Sequence, residues 1–247
     1  MSASAAIPAG SRPFRRLGAT MITDVRLQYR NGFYYAVVFV VAVVALIISR
    51  LPRVDLGWLL PALVLGNLPI NTFYFIAGLV LLEKAEGTLD AQVVTPLRTA
   101  EYLTSKAATL TAVSVIENVV LAGLLTRFNF QMLPMVAGIT LASVLCCLIG
   151  FALIARYDSI NEYIFPSVFY NALLVLPVVD YLDVWRSPLF YLHPLQGSLL
   201  LMRAAFEPIP NWQWIYGAGY SLVWIAVAWL FCRWAFNRFL LAREGAR

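Results

Sequence analysis

The sequence predicts an all-α membrane protein. It should have six transmembrane helices, an N-terminal amphipathic helix, a short cytoplasmic helix, and an external re-entrant helical hairpin between helices five and six. Three observations predict this. The 247 residues are 61% hydrophobic and 13% charged, with a mean hydropathy of +0.77. A soluble domain is nearer about 45–50% apolar and about a quarter charged. Apolar runs of membrane-crossing length recur along the chain, and the basic residues fall unevenly on the segments between them. The apolar composition excludes disorder, and the three cysteines (Cys146, Cys147, Cys232), an odd number and all in apolar runs, exclude a disulfide scaffold. Net charge is +5, and sixteen of the eighteen basic residues are arginine. In so apolar a chain this excess sets membrane orientation and does not call for nucleic acid.

Residues 14–30 come first. Phe14, Leu17, Met21, Val25 and Gln28/Tyr29 recur at helical spacing, interleaved with Arg15, Arg16, Arg26 and Arg30. That is an interfacial helix, apolar face in lipid and arginines at the phosphates. It either anchors the first span alone or also meets a cytoplasmic partner. Met1–Thr20 lacks the apolar core of a signal peptide, so the first span is expected to be an uncleaved anchor. The expected spans are 33–49, 56–82, 107–125, 132–154, 165–179 and 214–232, near the roughly 17–25 residues that cross a bilayer. The fifth is short and must extend at one end. The second is long and should tilt, kink at Pro69 or project into the cytoplasm. With the N-terminus inside, thirteen Lys and Arg residues fall on inner segments and five on outer ones. Both termini are therefore expected to be cytoplasmic. Residues 187–206 hold Pro188, His193-Pro194, Gln196, Gly197 and Arg203, and read as a broken re-entrant hairpin dipping in from outside. Residues 1–247 form one membrane domain, closed by a basic cytoplasmic tail, 233–247.

The longest cytoplasmic connection, 83–106, carries its own helix punctuation. Gly87 can take the left-handed conformation that ends the second span. Thr88 can cap a short helix over 89–94, with Asp90 in its first turn. Thr95 can cap the next helix, with Pro96 at its first position. Glu83 and Glu86 sit at a helix C-terminus, the wrong end for an anion. They are expected to meet an external partner, unless Lys84, Arg98 or water satisfies them.

Several chemistries are absent from the sequence. Neither lysine, Lys84 nor Lys106, follows a glycine-rich turn as a P-loop lysine must. The chain is therefore expected to be no enzyme and to bind no ATP or other cofactor. One histidine and no clustered soft ligands leave no expected metal site. His193 with Ser198 lacks the nucleophile-elbow pattern of a hydrolase, and His193-Pro194 reads more simply as a helix break. Within the spans, Glu117-Asn118, Asn67, Asn71 and Asn171 are candidates for a substrate path. A carboxylate in the membrane is costly and by default functional. The plainer alternative is interhelical hydrogen bonding.

The run Glu83, Glu86-Gly87-Thr88-Leu89, Val94-Thr95-Pro96-Leu97 and Glu101-Tyr102-Leu103 resembles the signature of ABC type-2 transporter permeases. The resemblance extends over essentially the whole chain. Through this loop and Tyr157-Asp158-Ser159-Ile160-Asn161-Glu162-Tyr163 it is most similar to the permeases grouped with fluoroquinolone export. The resemblance implies a half-transporter in the plasma membrane. A second permease copy or a sister permease completes the pathway, and separate P-loop ATPase subunits hold ATP and Mg. Glu83, Glu86, Gly87, Thr88, Leu89, Asp90, Thr95, Pro96 and Glu101 would form the ATPase-coupling element. Arg156, Asp158 and Asn161 would form a second, smaller ATPase contact. Residues 14–30 would be the connecting helix, and His193 and Pro194 would belong to a re-entrant gate. The cargo would be a small amphipathic molecule or drug. A lipid, a lipid-linked glycan or a peptide is the alternative, and an intramembrane lipid-modifying enzyme or a scaffold without transport a more distant one.

Overall fold

The computed structural model describes residues 12–50, 57–87, 98–236 and 238, and every regular element among them is helical. The elements are α1 (Arg12–Arg30), α2 (Phe33–Ser49), α3 (Leu60–Pro69), a π-helical turn (Ile70–Tyr74), α4 (Phe75–Ala85), α5 (Thr99–Thr126) and α6 (Met132–Ile154). They continue with α7 (Ile160–Leu174), α8 (Pro177–Tyr181), a 3-10 turn (Pro188–Leu192), α9 (Gln196–Arg203) and α10 (Asn211–Ala235). Five helical stretches are long and apolar enough to cross a membrane, and a sixth joins them if α1 and α2, bent by 60°, count as one span.

Five of the expected spans appear as helices long and apolar enough to cross a membrane, and the first, 33–49, joins them only together with α1. The second is the composite Leu60–Ala85, and the fifth, expected over 165–179 with extension at one end, extends at both to give Ile160–Tyr181. Its short sequence reading reflects Asn161 and Glu162, which lower local hydropathy while Ser159 caps the helix by accepting from the Glu162 N–H at 3.3 Å. The basic tail is described only as far as 236 and at 238.

Helix α6 is the centre of the bundle. It packs against α3, α4, α5, α9 and α10, and Ile139, Ala142, Leu145 and Cys146 on it are fully buried. By contrast α2 and α7 turn large apolar side chains outward, with Phe165 86% exposed. A chain with such surfaces in water would aggregate; in lipid these surfaces are solvated.

Helix ends gather into two groups. At one end Phe236 after α10 lies 5.6 Å from Tyr102 of α5 and 5.8 Å from Phe151 of α6, between ring centres. At the other end Phe130 meets Phe206 at 5.7 Å, and the Tyr181 hydroxyl donates to the Trp58 carbonyl at 2.6 Å. An alternating up-and-down chain order produces this grouping.

The broken segment before α10 is present as the 3-10 turn and α9, and α9 is buried from Gln196 to Met202. It enters the bundle because Gly197 and Gly217 face one another. A Cβ on either glycine would lie 2.9 Å from the other's carbonyl oxygen. Such close backbone approach is how helices associate where lipid offers no hydrophobic drive.

Candidate functional site

The corner where α1, α4 and α5 meet is built around a buried lysine. Lys106 Nζ donates to Glu83 Oε1 at 2.6 Å and to Asp24 Oδ1 at 3.0 Å. The Tyr102 hydroxyl donates to Glu83 Oε2 at 2.5 Å, and the Ser105 hydroxyl donates to Asp24 Oδ2. One helical turn further, Gln28 Nε2 donates to Thr109 Oγ1 at 3.0 Å. All seven of these side chains are buried. Two carboxylates thus share one ammonium, and two hydroxyls supply the remaining donors. Charges taken this far from water persist only when paired and hydrogen-bonded in this way.

This arrangement corrects one expectation. Glu83 has its partners inside the molecule, contributed by α5, so it cannot belong to an exposed docking surface. Glu86 does stay exposed, where it pairs with Arg30 of α1 at 3.1 Å. Gly87 has φ +67°, the left-handed backbone expected of it. Glu101 serves two neighbours: it accepts from the Arg98 N–H at 3.0 Å, closing the N-terminus of α5, and from Arg16 Nη2 of α1 at 3.0 Å. Thr88, Leu89, Asp90, Thr95 and Pro96, and with them the short helix expected over 89–94, lie outside the described residues. The expectation for α1 needs an addition. Val25 and Tyr29 do point outward, but the opposite face docks on α5 through Asp24 and Gln28. The sequence signal was Asp24 itself, an acid in a helix whose other charges are all arginine.

The turn between α6 and α7 joins the same corner. Lys84 Nζ donates to the Tyr157 carbonyl at 2.5 Å and lies 3.5 Å from Asp158 Oδ1. Arg156, Asp158 and Asn161 are exposed there.

A second polar group lies deeper, where α3 gives way to the π turn. Pro69 has no N–H to donate, and the backbone widens into the single turn Ile70–Tyr74. The irregularity follows directly on Pro69, within the single span Leu60–Ala85. Asn67 Nδ2 donates to Glu117 Oε1 at 3.0 Å and to Asn118 Oδ1 at 3.2 Å. Asn118 Nδ2 in turn donates to the Ser114 carbonyl at 2.8 Å. Glu117 is only 3% exposed, and its Oε2 has no hydrogen-bond partner. Asn71 bears on the same carboxylate, yet neither its amide oxygen nor its nitrogen makes a hydrogen bond of ordinary geometry. Four of the five intramembrane candidates therefore come together. Asn171 sits apart on α7, with its own side-chain oxygen buried and unpartnered.

Because Glu117 is both an interhelical acceptor and an under-satisfied carboxylate, Glu117→Gln separates its two roles. The amide keeps an acceptor for Asn67 and the side-chain size. Yield and thermal midpoint are expected to stay near wild type, while transport changes severalfold. Unchanged transport across several pH values would leave only the interhelical hydrogen bond.

His193 fastens the broken segment to α7. Its Nδ1 accepts from the Leu195 N–H at 3.2 Å, which puts the ring proton on Nε2, 3.0 Å from the Leu173 carbonyl. Pro194 follows at the break between the 3-10 turn and α9. Burial pushes the imidazole pKa below its ordinary 6.5, against the opposing pull of the Leu173 carbonyl. A folded-state pKa lowered in this way stabilises the fold fully above about 6.5 and loses that contribution as pH falls through the folded value. Wild type is expected to lose thermal stability below pH 6.5 more steeply than His193→Gln. Parallel curves would exclude His193 as the titrating group.

Residues 15–244 match the fluoroquinolones export permease protein family. Two relatives are each 34% identical over 235 residues, covering 93% of this chain and 98% of the relative. They are fluoroquinolones export permease proteins of Mycobacterium tuberculosis, from strains CDC 1551 / Oshkosh and ATCC 25618 / H37Rv.

Proposed function

The chain belongs to the fluoroquinolones export permease protein family, and from that membership we propose that it is the membrane subunit of an ABC exporter, moving a small amphipathic drug at the expense of ATP hydrolysed by a separate P-loop ATPase. The observation that carries this reading is the corner itself. The chain leaves it at Gly87 and returns at Arg98, and the exposed residues Glu86, Arg156, Asp158 and Asn161 surround it. An ATPase seated on the segment 88–97 and on the α6–α7 turn would push on this corner.

The push has a path. Lys106 and Glu117 are both on α5, eleven residues and about 16 Å apart. Glu83 and Asn67 are both on the α3–α4 span. The two helices pinned together at the corner are therefore the two that carry the deeper polar group, and moving one end moves the other. Two packings of similar energy are sufficient for alternating access. In this reading the corner, both termini and residues 83–106 are cytoplasmic, the host is the plasma membrane, and a second permease copy or a sister permease completes the pathway.

The test is co-purification with a candidate ATPase, followed by ATP hydrolysis in lipid nanodiscs with and without a fluoroquinolone. Stimulated hydrolysis by the complex supports the reading. A permease that binds no ATPase, or a complex that no drug stimulates, overturns it. An apolar groove of about 500 Å³ between α5, α6 and α10, lined by Ala107, Ala108, Leu148, Ile225 and Trp229, favours an acyl-bearing cargo as a second reading. Stimulation by lipid and not by drug would select that one.

A further inference from the structure

Helices α5 and α10 both pack on α6 and approach one another at the corner, where Tyr102 meets the ring of Phe236. Away from that contact a groove of about 500 Å³ opens between them. Its floor is Val144 and Leu148 of α6; Ala107 and Ala108 line it from α5, and Ala226 and Trp229 from α10. The three alanines leave space that larger side chains would fill. The one hydroxyl in the lining, that of Thr104, already donates to the Ala100 carbonyl at 2.7 Å. The groove follows α10 from Leu222 to Leu230, about 12 Å of helix. An apolar channel of that length suits a hydrocarbon chain and offers a polar ligand nothing.

The end nearest the corner is charged. Arg233 follows Ala226 at i+7 and Trp229 at i+4, so it lies on the same face of α10, one turn nearer the corner. It is exposed, and its guanidinium makes no ion pair or hydrogen bond among the described residues. Arg238 lies beyond it, over the Trp234 ring at 5.3 Å. From Pro208 to Arg243 the sequence holds no acid, so α10 has no carboxylate to offset these cations. Glu101, at the facing end of α5, is engaged with Arg16.

We propose that the groove is a site for one resident anionic phospholipid. An acyl chain lies between α5 and α10, and Arg233 holds the phosphate at the corner end. Charge complementarity selects this occupant. An arginine at the end of a membrane helix reaches into the headgroup layer and pairs with phosphate, and basic side chains beside a cleft between membrane helices favour anionic headgroups. A zwitterionic lipid brings the same phosphate together with a cation of its own. The lipid is a fixture of the fold and not cargo, so the site needs no ATPase and does not rest on the export reading.

The experiment is native mass spectrometry of the full chain released from detergent, titrated with phosphatidylglycerol or phosphatidylcholine carrying identical palmitoyl and oleoyl chains. Wild type is expected to bind the first phosphatidylglycerol about fivefold more tightly, the size of one cation's attraction to an anionic lipid. Arg233→Gln should abolish that preference and Arg233→Lys keep most of it. Arg26→Gln, on the exposed face of α1, should leave it unchanged. Ala226→Phe fills the groove from an exposed position and should weaken binding of both lipids severalfold. Val227→Phe, exposed outside the groove lining, should not. Equal binding of the two lipids by wild type, a preference unchanged in Arg233→Gln or lost in Arg26→Gln, or wild-type binding by Ala226→Phe overturns the proposal. Lipid-stimulated ATP hydrolysis by the ATPase complex that Arg233→Gln removes would make the lipid cargo, and overturns its residence.

Discussion

Lys106→Met is expected to unfold the corner. The substitution leaves Asp24 and Glu83 buried without a counter-charge, and breaking a buried ion pair from one side costs about 3–5 kcal/mol. That is a large share of the stability of a typical domain, about 5–15 kcal/mol. The expected observation is a strongly lowered thermal midpoint and low recovery from the membrane. The triple variant Asp24→Asn, Glu83→Gln, Lys106→Met removes all three charges and keeps the shapes. It should recover much of the lost stability, because replacing a whole buried charge cluster is far less costly than orphaning part of it. A single variant as stable as wild type would mean that the three side chains are not desolvated together.

Gly87→Val should act differently, sparing the fold and disabling transport. Gly87 holds φ +67°, and a residue with a Cβ there costs roughly 1–2 kcal/mol. Valine, stiff at χ1, does not relieve the strain. The chain would leave α4 in a new direction, so the segment that follows would be misplaced for the proposed ATPase contact. The corner's buried contacts do not involve residue 87, so insertion and drug binding should survive. Drug-stimulated ATP hydrolysis and transport are expected to fall together, by tenfold or more if the misdirection costs about 1.4 kcal/mol. Wild-type stimulation in this variant would remove the 83–106 loop from the coupling path.

The features legible in the sequence are those with a local physical signal. Apolar runs mark the spans, Pro69 marks the π turn, Gly87 marks the left-handed helix end, and His193-Pro194 marks the broken segment. The Asp24–Lys106–Glu83 cluster was not legible. Asp24 and Lys106 are 82 positions apart, and no periodicity within either helix connects them. Two signs were nevertheless present: one of only two lysines opens an apolar span, and a lone acid stands among arginines. The same limit applied to Asn67, Glu117 and Asn118. Each was a candidate by its chemistry, but their meeting across α3 and α5 is a property of packing. Asn171 had the same chemistry and remained apart.

The docking of α1 through Asp24 has a consequence for biogenesis. Helix α1 is made before α5, and the lysine that neutralises its buried acid follows 82 residues later. Until α5 has entered the membrane, Asp24 can be satisfied only by water at the interface, so α1 cannot settle in its final place. A nascent chain stalled before Lys106 should therefore leave α1 open to protease, and one stalled after α5 has inserted should protect it. The locking of α1 waits on the middle of the chain, and an earlier-translated helix is among the later ones to be fixed.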